Sequence, residues 1–277
     1  MPIITISRGS YSRGKEVAEK VAERLGYECI SRDILLEASA EFNIPEIKLI
    51  RALHDAPSVL ERFTYGKERY VSYIRSALLQ HIRKDNVVYH GLSGHFFLQD
   101  MPNVLKVRII ADMEDRVAEE MKRENISADK ALYILKKDDD ERRRWSLHLY
   151  GTDPWDSRLF DMVLHIKTLS VEDAIEMIID TVRKPIFQTT AQAHKIMDDL
   201  ALAAKVQAKL VDLVPKIKVD ADDGVIYVGN IGEALKVENK TNVEIKKIAG
   251  QIEGVKELKF AYYPSRDEGR VNPFHNI

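Results

Sequence analysis

Near the start of the chain, two glycines stand five positions apart, and a lysine follows the second one. This run matches the pattern G-x-x-x-x-G-K and consists of Gly9, Ser10, Tyr11, Ser12, Arg13, Gly14, Lys15 and Glu16. Between a strand and a helix, such a loop can cradle phosphate oxygens, because its glycines let successive backbone N–H groups point inward. The helix N-terminus adds partial positive charge, and Lys15 would reach the β and γ phosphates of a nucleotide. The alternative is an ordinary tight strand-to-helix turn.

The residue after Lys15 departs from this pattern, which has Ser or Thr there to hold Mg²⁺. Glu16 occupies the position, and a carboxylate can also hold Mg²⁺. Its negative charge repels a triphosphate, and the neighbouring cations Arg8 and Arg13 would offset that repulsion. The sequence therefore predicts Glu16 as a metal ligand.

A dense charged run over residues 136–144 is the second candidate feature. Mixed charge of this kind is commonly a solvated helix face, and the alternative is a mobile lid that clamps phosphate. Arginines that close over a transferring phosphoryl group stabilise its spread charge. We predict this role for Arg142 and Arg143, with Arg116 on the opposite wall. Asp140 would hold a guanidinium in place or orient the acceptor.

Two further loops follow predicted strands, and ligands of open parallel sheets bind at the carboxyl ends of the strands. The second strand ends in Ser31, Arg32 and Asp33, and Gly91 directly follows the third. These four residues are predicted to bind the acceptor. Ser31 or Asp33 could instead cap the next helix, and the Gly91 loop could be a plain connection.

Strand-like and helix-like segments alternate through residues 1–183. Apolar, β-branched runs predict strands at 3–7, 27–30, 86–90, 104–110 and 162–166. Helical periodicity predicts helices at 14–25, 32–42, 45–54, 66–84, 113–124, 128–137, 138–150 and 171–183. This alternation favours an α/β fold in which a parallel sheet is sandwiched by helices.

The pattern changes after Arg183, where Lys184-Pro185 breaks the last helix. A helix over 189–213, a hairpin turning at Asp223-Gly224, a helix over 239–252 and a strand over 255–262 predict a small separate α+β domain. The predicted organisation is a first domain at 1–183, a linker at 184–190, a second domain at 191–263 and a polar tail at 264–277.

Composition narrows the choice of partners. Lys and Arg together number 42 and Asp and Glu 44, so the formal net charge of −2 argues against nucleic acid as a partner. The single cysteine cannot form an internal disulfide or a Cys-rich zinc site. Neither a transmembrane segment of ~18 apolar residues nor a secretory signal is evident, and we expect a cytoplasmic protein.

Several segments of the first domain together resemble the cytidylate kinase-like family of P-loop nucleoside monophosphate kinases. They are residues 4–8 with Gly14, Lys15 and Glu16, then 25–27, 86–91, 103–111 and 150–153. The resemblance implies a P-loop kinase fold with a core, a monophosphate-binding insertion and a lid. It also implies ATP with Mg²⁺ as the phosphate donor and a nucleoside monophosphate such as CMP or dCMP as the acceptor.

Residues 191–263 resemble a BON domain through the hairpin at Gly224 and the turn at Gly254-Val255. That family is associated with phospholipid surfaces or protein partners, which implies a module for regulation or docking. The main hypothesis is therefore an ATP-dependent kinase that carries a BON module. Its rivals are a catalytically weak nucleotide-binding sensor and a kinase for a different small acceptor.

Overall fold

A computed structural model of the chain describes residues 2–9, 12–31, 33–42, 66–91, 94–98, 101–229 and 240–260. The predicted helix at 45–54 and the predicted tail at 264–277 lie outside the described residues. The same holds for Ser10, Tyr11 and Arg32, and for the side chain of Asp33.

Five parallel strands form the first sheet. They are β1 (Ile3–Arg8), β2 (Glu28–Ile30), β3 (Val87–His90), β4 (Val104–Ala111) and β5 (Met162–Ile166). The strand order is β2-β3-β1-β4-β5, so β1 lies at the centre with β3 and β4 on either side. The predicted α/β class is confirmed, and the central position of β1 puts the glycine loop in the middle of the sheet's carboxyl edge.

Helices connect these strands and cover the sheet. They are α1 (Gly14–Leu25), α2 (Asp33–Phe42), α3 (Gly66–Ile82), α4 (Gly94–Phe97), α5 (Met113–Glu124), α6 (Ala128–Tyr150) and α7 (Val171–Val182). The expected break between residues 137 and 138 is wrong, because α6 runs through it as one helix. Neither Lys137 nor Asp138 is a helix breaker, so the backbone ladder continues.

The central strand β1 is buried on both faces. Ile4 and Ile6 pack with Val17 and Val21 of α1 in one core cluster. Ile3 points to the other side and belongs to a second cluster with residues of α3. Successive side chains of a strand point to opposite faces, which explains this division. Because both faces are packed, the position of β1 and of the loop that follows it is well defined.

The C-terminal region forms a smaller sheet of its own. It comprises α8 (Ala191–Leu210), β6 (Lys218–Asp222), β7 (Val225–Gly229), α9 (Lys240–Gly250) and β8 (Glu257–Phe260). β7 pairs antiparallel with β6 and parallel with β8. Asp223 and Gly224 turn the hairpin with φ angles of 47° and 81°, which is the left-handed conformation that such two-residue turns need.

Helix α8 contributes to the cores of both sheets. Met197, Ala201 and Ala204 are buried in the cluster that includes Ile3 of β1, whereas Val206 and Leu210 belong to the core of the second sheet. The separate C-terminal sheet is confirmed, while the domain boundaries at 183 and 190 stay predictions. Among the helices that the structure describes, none combines the length and apolarity that crossing a bilayer requires.

Candidate active site

The loop after β1 turns tightly into α1. Ser12 Oγ donates a hydrogen bond to the Gly9 carbonyl oxygen at 3.1 Å, and Arg13 adopts a left-handed conformation with φ 64°. A Cβ atom at Gly14 would lie 2.6 Å from Cβ of Arg8, so only glycine lets the helix begin this close to the strand. No side chain of the described residues caps α1, which leaves its first N–H groups available to a ligand.

Lys15 and Glu16 line an opening of about 380 Å³ at the start of α1. The Lys15 side chain is 63% exposed, with Nζ 3.6 Å from Glu19. Glu16 lies 3.0 Å from Lys20 and 3.4 Å from Arg13. The hydrogen bond from Lys20, against the opposing effect of burial and with help from Arg13, lowers the pKa of the Glu16 carboxyl. Glu16 is therefore ionised, as a cation ligand must be.

A second cavity, of about 270 Å³, lies beside the glycine loop. It is bounded by the end of β1, Gly91 after β3, α4, the end of β4, α5, α6 and the segment at 154–155. Four arginines line it, namely Arg8, Arg108, Arg116 and Arg142. Asp139 is the one carboxylate among the described residues of the lining, so this part of the lining carries a net positive formal charge.

One carboxylate–guanidinium pair joins α5 to α6 at this cavity. Arg116 Nη1 and Nη2 donate to the two carboxylate oxygens of Asp139 at 2.8 and 3.0 Å. Both side chains are largely buried, with 9% and 19% exposure. Arg142 also reaches across and donates to the carbonyl oxygen of Arg8 at 3.4 Å. The structure thus brings the predicted Arg116 and Arg142 together with the end of β1.

The other two predicted residues of α6 point elsewhere. Arg143 donates to Asp153 at 2.7 and 2.9 Å and lies over the ring of Trp155, with Cζ 4.7 Å from the ring centroid. Asp140 is paired with Arg144 on the exposed side of α6. Successive helical residues point about 100° apart, so Asp139 faces α5 and Asp140 cannot. The roles predicted for Arg143 and Asp140 stay predictions.

The residues predicted after β2 and β3 have different positions. Gly91 lines the cavity, and a Cβ there would lie 2.6 Å from Tyr89 Oη, so glycine makes room for that ring. Ser31 follows β2 at the same edge of the sheet but does not belong to the cavity lining as the structure describes it. Asp33 is the first residue of α2.

Sequence reasoning missed Arg108 and the cavity role of His95. Arg108 lies in β4 and donates through Nη1 to the Pro154 carbonyl oxygen, and His95 lies in α4. A signal for Arg108 was present, because Lys106 and Arg108 interrupt one face of an otherwise apolar parallel strand. Such strands are normally near-continuous in hydrophobic residues, so charge at alternate positions indicates a face that meets something polar.

No group of three or more His, Cys, Asp or Glu side chains that could hold a metal ion occurs within the described part of the chain. A Mg²⁺ ion bound mainly by substrate phosphates and water needs only one or two carboxylates. The ionised Glu16 beside Lys15 fits that kind of site.

The central β1, the turn that leads to Lys15 at the start of α1, and the helices that surround the sheet give the chain the fold of a P-loop kinase. The chain belongs to the Cytidylate kinase-like family, which matches residues 3–168. That region contains the whole first sheet and both cavities described above.

Relatives of known activity and a solved structure match about two thirds of the chain. Cytidylate kinase of Pyrobaculum aerophilum is 24% identical over 181 residues, which are 65% of this chain and 92% of that protein. Cytidylate kinase of Sulfolobus acidocaldarius is 23% identical over 183 residues, with 65% and 94% coverage. The crystal structure of an uncharacterized protein from Eubacterium ventriosum has a TM-score of 0.51 at 23% identity, covering 66% of this chain and 98% of that one. This last likeness bears on the fold alone.

Proposed function

We propose that the protein transfers the γ-phosphoryl group of ATP to a nucleoside monophosphate of the CMP or dCMP type. The observation that carries the proposal is the convergence of Arg8, Arg108, Arg116 and Arg142 on one cavity beside the glycine loop. Such a concentration of guanidinium groups is suited to the negative charge of two phosphorylated substrates. The family and its cytidylate kinase relatives support the same reaction.

In this proposal the donor lies over the start of α1. Backbone N–H groups of residues 10–15 bind its phosphate oxygens, and Lys15 interacts with the β and γ phosphates. The opening that Lys15 lines provides the space for this interaction. Glu16 is the residue that would hold Mg²⁺, which when bound supplies positive charge to the phosphate oxygens.

Transfer itself then depends on positioning and charge. An acceptor phosphate is already ionised, so little proton abstraction is required. Arg116 and Arg142 stabilise the charge on the transferring group, and Asp139 fixes the orientation of the Arg116 guanidinium at 2.8 Å. Arg143 is a further candidate for this role, and its contact with Asp153 would have to open for it to reach the cavity.

A panel of acceptors tests the proposal. The full chain is incubated with ATP, Mg²⁺ and each nucleoside monophosphate in turn, and ADP formation is measured. Turnover with CMP or dCMP is the expected result. Absence of ATP binding would contradict the proposal, and ATP binding without transfer to any monophosphate would favour a sensor.

The sensor is a second candidate because the C-terminal region is coupled to the first sheet. Tyr73 of α3 donates to Asp212 at 3.0 Å, and Arg75 donates to Gln207 at 2.9 Å. A movement of α3 on nucleotide binding would thus be transmitted to the C-terminal region. The second sheet could then change its affinity for a protein or phospholipid partner. The BON assignment and the cytoplasmic location stay predictions.

A further inference from the structure

Arg108 is a cation whose charge has no counter-ion in the described structure. Its guanidinium donates to the Pro154 carbonyl oxygen and lies 5.6 Å from the ring centroid of Phe160. The two carboxylates that act on it electrostatically, Asp139 and Asp153, are hydrogen-bonded to Arg116 and Arg143. Of the residues that the structure describes, none places a carboxylate oxygen within ion-pair distance of Arg108.

His95 lies on the same wall of the cavity. It is only 5% exposed, and its Nε2 has no hydrogen-bond partner among the described residues. Its ring centroid is 4.9 Å from that of Phe160, the ring that Arg108 also contacts. Burial, and then the charge of Arg108, lowers the pKa of His95 to about 3, so the imidazole is neutral and can both donate and accept hydrogen bonds.

A ligand could supply the counter-ion for Arg108 and the hydrogen-bond partner for His95. Arg108 is partly buried, and a cation removed from water is costly unless an anion pairs with it, whereas the buried His95 nitrogen is costly without a hydrogen bond. Both groups line the cavity with Arg116 and Arg142, whereas Lys15 lines the other opening. An anionic ligand that lies between the two openings would therefore have one end near Lys15, and its other end would contact Arg108.

We propose that Arg108 and His95 form the acceptor subsite, where Arg108 binds the phosphate monoester of the acceptor and His95 hydrogen-bonds to the same molecule. The inference rests on the proposed function and makes it more specific. It requires an acceptor that already carries a phosphate, and it disfavours neutral sugars and nucleosides, which would leave the charge of Arg108 unpaired.

Calorimetric titration of the full chain tests the subsite, with CMP and dCMP as probes in the presence of Mg²⁺ and a non-hydrolysable ATP analogue. Cytidine serves as the probe without phosphate and should bind at least about 10-fold more weakly than CMP. Arg108→Gln should weaken CMP binding by about 10- to 100-fold, and Arg108→Lys by less, because it retains the charge. His95→Phe should weaken it by about 3- to 10-fold.

Two controls separate this inference from the proposed function. The affinity of the ATP analogue should stay within about twofold in the Arg108 and His95 variants, which also shows that they are folded. Arg24→Gln removes an exposed arginine that pairs with Glu172, and it should leave CMP binding unchanged. Unchanged CMP affinity in both Arg108 variants would overturn the subsite alone, whereas binding of neither CMP nor dCMP to the unmodified chain would overturn the proposed acceptor as well. Failure to bind the ATP analogue would overturn the proposed function itself.

Discussion

Arg116 and Asp139 form a two-point ion pair that joins α5 to α6 across 23 residues of sequence, with N–O distances of 2.8 and 3.0 Å. The Arg116 guanidinium lines the cavity, and the Asp139 carboxylate compensates its charge. The guanidinium carbon lies within 3.6 Å of the position that a Cβ on Gly9 would occupy, so the pair also lies against the glycine loop. This contact links the long helix α6 to the carboxyl end of β1.

Replacement of Asp139 by Asn should therefore affect both stability and rate. The substitution removes the carboxylate charge that faces the largely buried Arg116 guanidinium, which we expect to lower the free energy of unfolding by about 3 kcal/mol. The substitution should lower kcat but change the KM for ATP only slightly. The reason is that the Arg116 guanidinium loses its orientation, whereas the binding site for ATP stays in place. Urea denaturation and steady-state kinetics measure the two effects.

The neighbouring residue provides the matched control. Asp140→Asn removes the same charge from an exposed pair with Arg144, and such pairs contribute about 0–1 kcal/mol. Equal effects of the two substitutions on unfolding and kcat would contradict the role given to the Arg116–Asp139 pair.

Lys15→Ala should abolish measurable ATP binding without destabilising the fold. The Lys15 side chain is 63% exposed and contacts only the exposed Glu19 in the described structure, so its loss removes a ligand contact and no core packing. Calorimetry with a non-hydrolysable ATP analogue measures the loss. Lys184→Ala, at an exposed lysine far along the chain, is the charge-matched control. Unaltered ATP affinity in Lys15→Ala would disprove the donor site.

Gly14→Ala should distort the start of α1. The added Cβ would meet Cβ of Arg8 at 2.6 Å, and neither atom lies at the end of a flexible side chain. We expect a loss of about 1–3 kcal/mol in the free energy of unfolding, together with weaker ATP binding. Gly250→Ala in α9 is the control, because nothing lies within 4 Å of its new Cβ. Equal melting temperatures and ATP affinities for Gly14→Ala and the unmodified chain would contradict the tight turn.

The free energy of unfolding should decrease as the pH is lowered, in part because of His95. Burial lowers its pKa from the ordinary 6.5 to about 3 in the folded chain, so the unfolded chain binds one more proton between these values. The folded state therefore loses up to about 1.4 kcal/mol per pH unit as the pH drops below 6.5. His95→Phe should flatten this dependence, which urea denaturation at pH 7, 6 and 5 would measure. If the free energy of unfolding of His95→Phe depended on pH as steeply as that of the unmodified chain, His95 would not be the source of the pH dependence.

Met197→Ala should destabilise the first sheet although Met197 lies in the C-terminal part of the chain. Its side chain is 3% exposed in the cluster that contains Ile3 and Leu78, and loss of a buried Met side chain costs about 2–5 kcal/mol. Urea denaturation should show the change. Ile186→Ala, at a side chain that is 71% exposed, should stay within about 0.5 kcal/mol of the unmodified chain. A similar small effect of Met197→Ala would mean that α8 is dispensable to the first core.

Much of the fold could be predicted because it follows from local patterns. The strand Ile3–Arg8, the helix Gly14–Leu25 and the Asp223-Gly224 turn were all predicted within a residue or two of their observed bounds. In the structure, Ser170 and Asp173 form a capping box at the start of α7. Periodicity, caps and turn residues act over a few positions, so they can be interpreted without knowing what the segments pack against.

The sequence by itself thus determined that a glycine loop with Lys15 and Glu16 lies between a buried strand and a helix, in a protein whose elements alternate. Only the tertiary structure decided that Asp139 and not Asp140 meets Arg116, and that Arg108 and His95 face the same cavity. The reason is that these side chains come from α4, β4, α5 and α6. Their convergence depends on the strand order and on the rotational phase of each helix, and neither property is encoded in any one local segment.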